Sequence, residues 1–122
     1  MSLNTGLKDP GYLLGRLFAV IEKVQEEANP GLNATIKDRY FSSASATPRA
    51  IFPQLIRLSQ YHFAKLDSGR KTNMEKLVQE IVDDVDTFPA HLDMEEQGMF
   101  VLGYYQQRKD LFTSKKENLK GE

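Results

Sequence analysis

The 122 residues contain no cysteine. That absence excludes disulfide scaffolds, thiol nucleophiles and cysteine-rich zinc sites, and it fits a reducing compartment. No apolar run approaches the length of a membrane span, and the start, Met1-Ser2-Leu3-Asn4-Thr5-Gly6, has neither a basic n-region nor an apolar h-region. The expectation is a soluble, cytoplasmic protein without membrane contact. No segment alternates polar and apolar residues as a half-buried strand does, and there is no internal repeat. Glycine-rich phosphate loops, G-x-S-x-G, H-E-x-x-H and His/Cys constellations are all missing. The chain is therefore expected to be no enzyme, with no catalytic residue, no metal and no cofactor.

What is present is helical periodicity. The hydrophobic content, 40%, suffices for one compact domain at this length. Asp9-Pro10 opens a first helix, in which Leu14, Leu17, Phe18, Ile21 and Val24 share one face and Arg16 and Lys23 fall opposite, toward solvent. Asn29-Pro30-Gly31 stops it. A short second helix follows from about Asn33 to Tyr40 or Ser43, with Ser42–Ala46 as a frayed end. Thr47-Pro48 caps a third helix reaching about Leu66, unless Pro53 kinks it or delays its start to Phe52. Asp67–Thr72 reads as a turn with two exposed cations. Met74, Leu77, Val78, Ile81, Val82 and Val85 then define the fourth helix, with its acids outside. Asp93 and Glu96 form a capping box for a fifth helix to about Phe112, whose apolar surface is broad enough for a central position or a partner. Gly98 and Gly103 permit close backbone approach there. The expected architecture is an all-α, single compact bundle of about five helices over 1–112, with a disordered tail over 113–122.

The net charge of −1 conceals an asymmetry: residues 1–66 hold eight Lys/Arg against five Asp/Glu, and residues 67–110 hold five against ten. Such a division supports a basic face that approaches phosphate on a nearly neutral protein, although chance clustering produces the same pattern. Asp38–Arg49 mixes arginine, aromatic and small hydroxyl residues. Arg16, Lys23 and Arg57 project from helices, whereas Lys37, Arg39, Arg49, Arg70 and Lys71 stand at helix ends or turns. Side chains so placed contact phosphates without reading bases. Tyr40 and Phe41 read as packing residues rather than stacking platforms. His62, on an apolar face, reads as a hydrogen-bonded core histidine. His91 and the run Asp83-Asp84-Val85-Asp86 read as solvated groups rather than metal ligands.

The strings Gly11-Tyr12-Leu13-Leu14-Gly15-Arg16-Leu17-Phe18-Ala19, Asp38-Arg39-Tyr40-Phe41 through Thr47-Pro48, Arg57-Leu58-Ser59-Gln60 and Gly98–Tyr105 with Gln106 and Gln107 resemble the C-terminal helical region of the type I-C CRISPR Cascade large subunit. The resemblance covers about residues 10–108. A stand-alone copy is similar to the small subunit of that complex, which in this subtype is translated from an internal start; an engineered C-terminal fragment of the large subunit would look the same. The resemblance implies a non-catalytic bundle that packs on the Cascade backbone subunits, the large subunit and further copies of itself. It also implies that the bundle stabilises the R-loop formed by guide RNA and target DNA, chiefly along the displaced strand, while guide pairing reads the sequence. Arg16, Arg39, Arg49 and Arg57 are the first candidates for phosphate contact, followed by Lys23, Lys37, Arg70 and Lys71. The rival reading is a helical protein–protein interaction module that touches no nucleic acid.

Overall fold

A computed structural model describes residues 2–31 and 35–120. Its elements are α1 (Pro10–Ala28), α2 (Ile36–Ala46), α3 (Pro48–Phe63), α4 (Ser68–Val85) and α5 (Met94–Lys120), with no strand among the described residues. The expected all-α bundle of five helices is thus the observed class. No described helix is long and apolar enough to cross a membrane.

Local chemistry sets most helix starts. The Asp9 carboxylate accepts from the Tyr12 N–H at 3.1 Å while Pro10 takes the first helical position. Asp93 and Glu96 form the expected reciprocal box, with bonds of 2.8 and 3.0 Å. Thr35 and Asp38 form another at α2; the start expected near Asn33 lies outside the described residues.

Four local details differ from expectation. α2 continues through Ala46, because the small Ala44 and Ser45 are buried and the Ala46 carbonyl accepts from the Leu92 N–H at 3.1 Å. Thr47 gives α3 no side-chain cap; its hydroxyl donates back to the Ser43 carbonyl, and α3 still begins at Pro48 with Pro53 inside it. The Asp67–Thr72 turn is the first turn of α4, since the Asp67 carboxylate caps the Arg70 N–H at 2.9 Å. α5 continues past Phe112 to Lys120, so its span overlaps the stretch expected as a tail; residues 121 and 122 lie outside the described residues.

α1 is the central element, with every residue from Gly11 to Val24 buried. α5 lies along it, and α2, α3 and α4 pack on its remaining sides. Glycines set the α1–α5 separation. A Cβ at Gly11 or Gly15 would strike the Glu96 or Phe100 carbonyl, and one at Gly103 would strike that of Tyr12. Gly103 therefore has the expected role, whereas Gly98 faces open space. Phe18 anchors the interior, edge-on to Phe41, Phe100 and Tyr104 at 5.5–5.9 Å between centroids. The apolar surface of α5 resolves into two sides: Phe100, Tyr104 and Leu111 face the core, while Met94, Val101 and Tyr105 are exposed.

Candidate nucleic-acid interface

The bundle sorts the eight candidate cations into two groups. Arg16 and Lys23, expected in solvent, are 4% and 5% exposed, because α1 is covered on the side that a one-stripe helix leaves bare. Arg16 Nε donates to Gln107 Oε1 on α5 at 2.8 Å. It lines a cleft of about 470 Å³ beside Lys8, whose other charged walls are Glu80, Asp83, Asp84 and Asp110. Burial lowers the Arg16 pKa from its ordinary value, and the neighbouring carboxylates oppose that shift. A phosphate entering that cleft would meet four carboxylates as well as Arg16.

Lys23 sits over the Phe112 ring, 3.8 Å from its centroid, and 3.9 Å from Glu27. Arg70 forms a two-pronged pair with Glu27 at 2.8 and 2.7 Å; that hydrogen bond raises the Arg70 pKa against a partial burial that lowers it. Only one of the two cations expected to be free in the Asp67–Thr72 segment, Lys71, is exposed. Lys37 donates to the Tyr105 hydroxyl at 3.0 Å and lies near three aromatic rings.

The second group is Arg39, Arg49, Arg57 and Lys71, all exposed. The first three belong to one unit. α2 and α3 fold back on each other about Thr47, so that Tyr40 and Gln54, each seven residues from it, meet at 3.4 Å. Arg39 then stands level with the turn that ends at Arg57. Along α3, Arg49 and Arg57 are eight residues apart, about 12 Å at 1.5 Å per residue. Arg49 Nε donates to the Phe88 carbonyl at 3.1 Å, a bond that uses one of its five N–H donors in an exposed side chain. Neither Arg39 nor Arg57 has a carboxylate partner among the described residues.

One signal in the sequence identifies this face. Between Asp38 and Asp67 there is no acidic residue, while Arg39, Arg49, Arg57 and Lys65 all fall there. A split at residue 66 averages this run with the acids of α1. Phe41 packs edge-on to Phe18 and Tyr40 is half-buried, so neither presents a free ring face.

The remaining candidates carry other roles. Lys65 Nζ donates to Asn29 Oδ1 at 3.2 Å, which orients the amide so that its NH₂ donates to His62 Nδ1 at 3.1 Å. His62 is thus a hydrogen-bonded histidine at the core edge. Burial, then the Lys65 charge, lowers its pKa. Asp84 pairs with Lys8 at 2.7 Å, and Asp83 and His91 are exposed. Among the described residues no group of three His, Asp or Glu side chains converges to hold a metal.

Residues 1–112 match the model of a family of CRISPR-associated proteins, Cas_Csd1. Among curated proteins no match is found.

Proposed function

The chain belongs to the CRISPR-associated Cas_Csd1 family, and from that premise we propose that it acts as the non-catalytic small subunit of a type I-C Cascade surveillance complex. In this role the α2–α3 face holds DNA phosphates of the R-loop, and guide–target pairing reads the sequence. The observation that carries the reading is that face: three exposed arginines on one helical hairpin, in a stretch without a single Asp or Glu. Guanidinium groups on such a surface bind phosphate without base readout. Lys71 is a fourth, more peripheral contact. Arg16, Lys23, Lys37 and Arg70 act within the fold.

The outward side of α5 is assigned to the Cascade protein subunits. Met94, 88% exposed, leads an apolar line that continues through Val101 and Tyr105. The same observation favours the second reading, in which the chain is a protein–protein module and its arginines meet carboxylates on the partner.

Replacing Arg39, Arg49 and Arg57 together by alanine in the assembled complex separates the two. DNA capture is expected to weaken, and the slope of log affinity against log salt to flatten by about 2–3, since each lost phosphate contact removes about 0.7–0.9. Guide loading stays intact. An unchanged affinity and slope would reject direct phosphate contact and favour the protein module.

A further inference from the structure

We infer that Tyr61 is a base-stacking platform that makes the α3 face selective for single-stranded DNA over duplex. The inference rests on the phosphate-binding role proposed for that face and adds a residue that contacts a base rather than a phosphate. Of the five tyrosines, four have partners in the fold. Tyr12 and Tyr104 are buried, with hydroxyls bonded to Gln106 and Glu22; Tyr105 accepts from Lys37; Tyr40 accepts from Gln54. Tyr61 is 70% exposed and makes no hydrogen bond or ring contact among the described residues. A large ring left in water contributes little to folding, and its free π-face is available to a ligand.

Its neighbours define that ligand. Arg57 precedes Tyr61 by four residues within α3, so the ring and that exposed cation share one side of the helix, about 6 Å apart along its axis. Lys65, just beyond the end of α3, is held by Asn29 through one of its three N–H donors and keeps the others for a phosphate. An exposed cation one turn from an exposed aromatic ring matches a strand whose backbone runs past the charge while an unpaired base turns inward to stack. Duplex DNA keeps its base faces inside the stack and offers Tyr61 only sugar and phosphate. The run from Arg39 to Leu66 has no Asp or Glu, so α3 itself presents no like charge to such a strand.

The test titrates the full chain at low salt with a fluorescein-labelled single-stranded DNA 20-mer and with the same sequence as duplex, using Tyr61→Ala, Tyr61→Phe and Arg57→Ala. Tyr61→Ala is expected to weaken single-strand binding by about 5- to 150-fold, the range that loss of one base–aromatic stack produces, and to leave duplex binding within about twofold. Tyr61→Phe keeps single-strand affinity, and a 2-aminopurine base in the strand is quenched by wild type but not by Tyr61→Ala. Arg57→Ala weakens both probes. If Arg57→Ala acts on both and Tyr61→Ala on neither, or on both equally, the stacking inference fails and the phosphate reading stands. If neither probe binds wild type, or Arg57→Ala changes nothing, both fail. Unchanged melting of Tyr61→Ala, as its exposure predicts, excludes a folding explanation for the loss.

Discussion

Helices α1 and α3 both place arginine opposite an apolar stripe in the sequence, and the tertiary structure treats those arginines in opposite ways. On α1, Arg16 is buried, bonded to Gln107 of α5, and lines a cleft together with the carboxylates of Glu80, Asp83, Asp84 and Asp110. On α3, Arg57 remains in water with no acid near it in sequence. A helical wheel reports which side of a helix is more apolar. It does not report how many neighbours the helix has, and α1 has four. The difference gives each charge its role: a buried guanidinium is spent on internal satisfaction, and an exposed one is available to a ligand.

The sharpest way to break this contrast is to disturb the seam that covers Arg16. Gly15→Leu places a side chain where even a methyl strikes the Phe100 carbonyl, and it is expected to prevent the α1–α5 seam from closing, with loss of cooperative urea unfolding. Gly103→Ala, milder, should cost about 1–3 kcal/mol.

Exchanging the two arginines sharpens the comparison directly. Arg16→Ala removes a buried stem and leaves the Gln107 carbonyl without its donor, so urea midpoints should show a loss of about 1–3 kcal/mol. The salt slope of DNA capture should not change. Arg57→Ala should do the reverse: stability within about 0.5 kcal/mol of wild type and a flatter slope. If Arg16→Ala flattens the slope and leaves stability intact, the division between inner and outer cations is wrong.

The glycines provide a smaller contrast on one helix. Gly98 faces open space in α5, so Gly98→Ala should stabilise by up to about 1 kcal/mol, opposite in sign to Gly103→Ala. The smallest effect belongs to His62, at the inner edge of α3. Its folded ring holds a proton less readily than the unfolded one, because of burial and Lys65. As pH falls through about 6.5, the unfolded chain takes up that proton first, so this part of the stability is complete above that pH and declines below it. The fall in melting temperature between pH 7.5 and 5.5 should be slightly smaller in His62→Gln than in wild type.

Much of this is legible in the residues alone. Five amphipathic periods predicted the all-α bundle, and Asp9-Pro10 and the Asp93/Glu96 box predicted the starts of α1 and α5, because caps act within one turn and need no tertiary partner. The arginines of the α2–α3 hairpin were among the candidates on type and position. The acid-free run that sets them apart is also present in the sequence, flanked by the acids of α1 and α4 that mask it in a regional charge sum. Burial of Arg16 and Lys23, the Glu27 pair that occupies Arg70, and the roles of Gly11 and Gly15 depend on which helices become neighbours.

The sequence by itself therefore determined where helices form and which residues carry charge, since propensity, caps and periodicity are local. Only the tertiary structure decided that α1 lies at the centre. Contacts among residues distant in the chain closed α4 and α5 over its polar positions, and those contacts left the outer face of α3, with Arg57 and Tyr61, in solvent.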